Sequence, residues 1–403
     1  MVFNIAWRNI WRSKVRSFVV ITAIGLGLWA GIFASAFVEG MMISKVNSVI
    51  EMEMSHFQFH VEGFRDDMKA EQIIHNTLEI QNDLSEDENV IQSSPRVIAL
   101  AMLGTANKNG SVKVSGVDPE KEAIVTKLDQ KIKEGAYFEG IKRNPIIISR
   151  EIAETFKVDL RSKMVLTFQD INGEIVAGAF RVAGIYKSNN GQYDKMNVFV
   201  KIDDMRRLMN MTEEECHEIA VKINDHDLAE TLASKYQKKY FNLEVLPWLD
   251  IASGMRYMVE AMDVYLFVLV GIILLALLFS IINTMYMAVL ERTREIGMLM
   301  SIGMTKGRIF SMIMIETVIM TMIGCPLGLA LSWLSISYFG NVGINVNAAV
   351  YDDFGFGSTI YPALGASRYV DVAIMVLIMA LIAAVFPARK ALKLKPVEAI
   401  RKI

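Results

Sequence analysis

The sequence predicts a membrane protein: four transmembrane α-helices with a large α+β extracytoplasmic domain between the first and second. Three observations carry this. Four long apolar runs interrupt a chain of 403 residues that is 53% apolar and 21% charged. Basic residues gather in three short pieces beside those runs. The longest interval between runs is polar and mixes strand-like with helix-like patterns. The runs exclude an ordinary soluble enzyme. An even composition with 2 cysteines excludes low-complexity, collagenous and disulfide-rich classes.

The hydrocarbon core needs about 20 helical residues. The first run, 18–38, is long enough to span and carries no charge. The second, 264–290, is also free of charge. The third, 309–339, contains one carboxylate, Glu316. The fourth starts near Val372, borrows Tyr369 and Val370, and is expected to close at Phe386 because Pro387 follows, giving 369–386. Ala34-Ser35-Ala36 resembles a signal-peptide cleavage site, but the first run is longer than a signal peptide's apolar region, so a retained anchor is expected.

Orientation follows from lysine and arginine placement. Residues 1–17, 291–308 and 387–403 together hold 14 of the 42 basic residues and only 3 of the 44 acids. Four spans put all three pieces on one side, read as cytoplasmic. The intervals 39–263 and 340–368 then lie outside, the second as a short loop.

Residues 39–263 are long enough for a packed domain of their own. Its edges read as helical stalks continuing the spans. Val38, Met42, Val46 and Val49 recur at helical spacing on one side, and Met255, Met258 and Met262 on the other. Such stripes serve a partner or, more often, ordinary packing within the chain. Between them, 56–61 and 111–117 alternate with period two. Residues 165–168 and 174–176 flank an Asn172-Gly173 turn, and 180–186 and 196–201 add strands. Helices are expected at 150–157, 203–210 and 227–240. The alternation argues for α+β over a parallel nucleotide-binding sheet.

Catalytic motifs are missing. Without a G-x-x-x-x-G-K-[ST] loop, the chain is not expected to hydrolyse ATP, and no cofactor is expected on it. His56 and His60 sit in a strand-like run with no carboxylate tied to them by spacing, so no metal site is expected. Seven methionines crowd 298–322, and thioether clusters can carry Cu(I). Methionine more often replaces leucine and lets a surface repack around its partners. Cys216 lies outside and Cys325 within the third span, so no disulfide joins them.

Three cytoplasmic pieces carry the information. In the leader, Trp7, Ile10, Trp11 and Lys14 share a helical face, which suits a helix lying among lipid headgroups. The inner loop, Glu291-Arg292-Thr293-Arg294-Glu295-Ile296-Gly297 followed by Leu299, Ile302 and Gly303, sets Ile296, Leu299 and Ile302 at helical spacing on the wet side of the membrane. That pattern reads as an exposed docking stripe. The tail from Pro387 reads as a short basic amphipathic helix, or as a solvated tail. Glu316 lies eight residues after Arg308, about 12 Å along a helix. A carboxylate within a span usually faces protein or water, and a structural hydrogen bond is expected there in preference to a proton-coupling role.

The inner loop E-R-T-R-E-I-G-M-L-M-S-I-G resembles the hallmark of FtsX-like (MacB/Lol-type) ABC transporter permeases. The tail P-A-R-K-A-L-K-L-K-P-V-E-A-I-R and the leader W-R-N-I-W-R-S-K-V-R-S resemble that family's ends, and Glu316 sits where many members carry a glutamate. The stretches 114–119 and 180–186 are similar to lipoprotein-releasing permeases.

The resemblance implies a permease subunit of the bacterial inner membrane, both termini cytoplasmic, without a fused ATPase. It implies separate ABC ATPase subunits holding ATP and Mg, and a second permease in a homo- or heterodimer. It further implies docking through Glu291 to Gly303 and a lipoprotein substrate handed to a periplasmic acceptor. Acyl chains would pass between the first and second spans along the stalk stripes, Val38, Met42, Val46, Met255, Met258 and Met262. Two alternatives stay open: efflux of drugs or peptides from the periplasm, and non-transporting regulation of cell-wall hydrolases.

Overall fold

The computed structural model describes residues 2–106, 108–346, 351 and 355–392. Contacts divide the chain into two units. One comprises 1–41, 260–345 and 359–403, the other 42–259 and 346–358.

The first unit holds the apolar helices. A helix from Val2 to Arg12 precedes the first spanning helix, Lys14–Val49. The second spans Met262–Glu291, the third Lys306–Val342 and the fourth Ala366–Leu392. All four are long and apolar enough to cross a membrane.

Small residues govern how these helices meet. A Cβ placed on Gly328 would stand 2.7 Å from the Gly25 carbonyl oxygen, and one on Gly324 2.9 Å from that of Ile21. The first and third helices therefore pack backbone to backbone, the contact that glycine allows where lipid supplies no hydrophobic drive. Trp29 Nε1 donates to Ser335 Oγ at 3.0 Å across the same seam.

Pro387 does not close the fourth helix, which continues to Leu392. A proline removes one backbone donor. Here buried Ala388 and Ala391 hold the next turn against the bundle. The expected basic tail helix beyond residue 392 lies outside the described residues.

The second unit is α+β. Its strands are β1 Phe57–His60, β2 Val90–Gly104, β3 Asn109–Val117, β4 Ile132–Gly135, β5 Pro145–Ser149, β6 Lys163–Gln169, β7 Ile175–Tyr186, β8 Asn197–Lys201, β9 Glu218–Ile223 and β10 Glu244–Pro247. They form one sheet in the order β10-β1-β9-β2-β3-β8-β5-β7-β4, with β6 pairing both β2 and β7. That double pairing closes β2-β3-β8-β5-β7-β6 into a ring. Its interior is filled by Val112, Val114, Ile148, Leu166, Phe180, Val182 and Val200, all buried.

Helices at Arg150–Phe156, Ile202–Met209 and Ala229–Lys239 lie where the pattern places them. The strands expected at 174–176 and 180–186 are one strand, β7, which begins at Ile175. Gly178 interrupts the apolar alternation without breaking the ladder, because β6 pairs along its whole length. The turn between β6 and β7 is organised by Asp170, whose Oδ1 accepts from Asn172 N and Glu174 N, both at 2.9 Å, while Gly173 takes φ +82°.

The stalk stripes are partly covered. Val46, Met255 and Met258 pack with Val49, Trp248 and Ala252 in a core of this unit, and Met42 is buried. Val38 and Met262 are half-buried. Met42, Val49 and Met255 are thus buried by the chain itself, while Val38, Val46, Met258 and Met262 keep part of their surface exposed.

Candidate functional site

The inner loop folds as a helix, Thr293–Ser301. At the break after the second span, Thr293 Oγ1 donates to Leu290 O at 2.7 Å. At its far end Met304 N donates to Leu299 O at 3.0 Å and Gly303 N to Met300 O at 3.1 Å, with Gly303 at φ +97°. This paired closure needs a left-handed residue, which is why a glycine stands there.

The faces of this helix correct the expected stripe. Ile296 is 3% exposed and lies in the bundle core, where half-buried Leu299 also packs, and Gly297 is buried. Ile302 is 85% exposed. The outward face is thus Arg294, Met298, Ser301, Ile302 and Gly303. Helical spacing shows that residues share a face, but not which face the bundle has already covered. Replacing Ile302 with Asp is therefore expected to leave the thermal midpoint unchanged. Ile296→Asp should destabilise the bundle by at least about 3 kcal/mol, since it strands a charge in an apolar core. Parallel thermal unfolding in detergent checks both.

Arg292 is turned inward. Its Nη1 donates to Glu316 Oε1 at 3.0 Å, and its Nη2 to Asn9 O at 2.8 Å and Ser13 Oγ at 3.2 Å. One guanidinium, with its planar set of donors, therefore joins the inner loop to the third span and to the leader. Two outer ion pairs follow the same line, Arg12 with Glu295 at 2.7 Å and Arg16 with Glu291. The partner of Glu316 is Arg292 and not a group on its own helix.

Sequence reasoning missed Asn9, Ser13, Arg12 and Arg16. A signal was present: Arg12 and Arg16 are four apart, as are Glu291 and Glu295, so two helices side by side can match both charges. His56 and His60 each have a partner within the chain. His60 meets Glu218 at 3.2 Å, while His56 Nδ1 accepts from Ile223 N at 3.4 Å. Burial holds the His56 imidazole down at about 4.

Comparison with known proteins bears on this arrangement. Residues 17–239 match the MacB-like periplasmic core domain, and 267–396 match the FtsX-like permease C-terminal model. The chain belongs to the FtsX-like, MacB/Lol-type permease family. The transmembrane protein LolC of the lipoprotein-releasing system of Xylella fastidiosa (strain 9a5c) is 21% identical over 329 residues, 78% of each chain. The macrolide export ATP-binding/permease protein MacB of Campylobacter fetus is 24% identical over 413 residues, covering 96% of this chain and 58% of its own. The solved periplasmic region of MacB from Actinobacillus actinomycetemcomitans aligns with a TM-score of 0.35 at 14% identity, over 52% of this chain and 95% of that one.

Permeases of this family work with ABC ATPase subunits. The four apolar helices and the outer domain are those of an inner-membrane permease with a periplasmic domain. In this permease Arg292 and Glu316 both fall within the FtsX-like match.

Proposed function

We propose that this permease receives the motion of a separate ABC ATPase on the outward face of the helix Thr293–Ser301 and passes it to its periplasmic domain. The carrying observation is the Arg292 junction, which ties that helix to Glu316, Asn9 and Ser13. A displacement at Ile302 then moves the second span, the third span and the leader together. ATP and Mg belong to the partner, and this chain holds neither. The termini face the cytoplasm, as the basic pieces favour, and the working unit pairs this chain with a second permease and two ATPase subunits.

Extraction of lipoproteins from the inner membrane, for delivery to a periplasmic acceptor, is the transport reading best supported. LolC and this chain match over 78% of each length. Lifting an acyl chain out of a bilayer costs about 0.8 kcal/mol per methylene, so long chains need mechanical work. Met42 and Met255 of the stalks are buried, so an acyl path would run along the first and second spans and the half-exposed stalk residues Val38, Val46, Met258 and Met262. MacB-like efflux keeps the same mechanics and is the second reading, favoured by the match with MacB over 96% of this chain.

Reconstitution with the cognate ATPase in liposomes tests this. ATP hydrolysis should rise with a triacylated lipoprotein and not with its deacylated form. Stimulation by a macrolide or peptide instead would move the permease to the efflux class. Ile302→Asp should abolish ATPase association, and normal association in that variant would sink the docking assignment.

A further inference from the structure

The leader helix Val2–Arg12 presents an outer face that the transport reading does not use. Ala6 and Ile10 are turned into the bundle and almost fully buried, so Ile10 does not share a face with the tryptophans. Phe3, Trp7 and Trp11, four residues apart, form an exposed aromatic stripe instead. The two indoles meet edge to face with their centres 6.1 Å apart.

The leader does not run straight on from the first span. Ser17 Oγ donates to Ile10 O at 2.7 Å. A straight helix would set those two residues about 10 Å apart along its axis. The chain therefore bends sharply at Ser13, where Arg292 Nη2 holds Asn9 O and Ser13 Oγ. The bend keeps the aromatic stripe near the end of the apolar run that begins at Phe18 and does not carry it out into water. Val15 and Phe18 are exposed as well, so apolar surface faces outward on both sides of the bend.

Cations border the stripe. Arg8 follows Trp7 directly and so stands about 100° round the helix from it. Arg8 and Lys14 are exposed, and neither forms an ion pair among the described residues. Arg12, also exposed, is shared with Glu295. No acid occurs in the sequence before Glu39.

Exposed indoles edged by unpaired cations, at the level where an apolar span leaves the bilayer, fit one occupant. We propose that the leader binds anionic phospholipid, with the indoles seated among the upper acyl carbons and Arg8 and Lys14 meeting the negative charge of the headgroups. The site does not rest on the transport reading.

Bromine quenching of tryptophan fluorescence tests it. The full chain is placed in vesicles of equal parts phosphatidylglycerol and phosphatidylcholine, one of the two brominated near the headgroup end of its acyl chains. The leader's share is the quenching lost in the Trp7→Phe, Trp11→Phe variant. That share should be at least about threefold greater with brominated phosphatidylglycerol, since one lysine or arginine near an anionic surface is favoured about fivefold. Arg8→Gln with Lys14→Gln changes exposed groups, should leave the thermal midpoint in place, and should bring the two lipids level. Equal quenching by the two lipids in the unaltered chain, or a preference that survives the double substitution, would overturn the proposal. So would a leader share of zero with both lipids, because another protein surface, a second copy of this chain included, would then cover the indoles.

Discussion

Replacing Arg96 with methionine is expected to cost the outer domain about 3–5 kcal/mol, the typical loss when one member of a buried ion pair is removed. Arg96 lies on β2 and is almost fully buried, as are Glu122 and Glu218. Its Nη2 and Nε donate to the two oxygens of Glu122 at 2.7 and 3.2 Å, and its Nη1 to Glu218 Oε1 at 2.7 Å. Ser94 Oγ donates to Glu122 at 2.8 Å, and Gln58 Nε2 to Glu218 at 3.1 Å. Methionine fills the space and strands two carboxylates. The loss is a large part of the roughly 5–15 kcal/mol that holds a domain folded.

Charge, not volume, is the cause, and two controls separate them. The triple variant Arg96→Met, Glu122→Gln, Glu218→Gln should regain most of the stability in denaturant unfolding. An equal loss in both would assign the effect to packing. Acid supplies the second control. Burial would raise the Glu218 carboxyl, but the His60 hydrogen bond and the Arg96 charge outweigh it and hold it well below the usual carboxylate range. A depressed carboxyl stabilises the fold above its unfolded value, and that contribution fades as pH falls. The penalty of Arg96→Met should therefore shrink as pH drops below about 5, because a protonated Glu218 is no longer a stranded charge.

Glu316→Ala is expected to have a comparable effect in the membrane unit, about 3–5 kcal/mol, by leaving the Arg292 guanidinium facing a void. Glu316 is buried in the bundle and Arg292 is half-buried beside it. Asn9 O and Ser13 Oγ remain as acceptors for Nη2, but nothing replaces the carboxylate on Nη1. Glu316→Gln keeps an acceptor in place and should cost much less. The readouts are the thermal midpoint in detergent and substrate-stimulated ATP hydrolysis in the complex reconstituted with its ATPase. If Glu316 is structural, Glu316→Gln retains transport and Glu316→Ala loses stability and coupling together. Transport abolished in a stable Glu316→Gln protein would instead assign the carboxylate a proton role.

The four spans and the α+β domain were legible because each rests on a property of a short stretch: an uncharged apolar run, period-two alternation, an Asn-Gly turn. The missed strands are β2, β4, β5, β9 and β10; β4 and β10 are only four residues long, and the other three share one reason. β2, β5 and β9 are largely buried and read as mixed or continuous apolar runs. β2 also carries Pro95, which in sequence argues against a central strand. The candidate site was legible as a segment, and its orientation was not. Ile296 and Ile302 look alike in sequence and differ fully in burial.

Sequence alone determined that the chain spans a membrane four times, that its basic pieces share one side, and that a polar domain large enough to fold interrupts the spans. These follow from transfer free energies and chain length, which need no knowledge of neighbours. Tertiary structure decided which neighbours meet. Arg292 finds Glu316 across 24 positions, Arg96 gathers Glu122 and Glu218 from 26 and 122 positions further along the chain, and Met255 and Met258 of the stalk pack in the chain's own core. Those pairings depend on helix rotation and strand order, and no local pattern encodes either, because a charge or an apolar stripe names its need and not its partner.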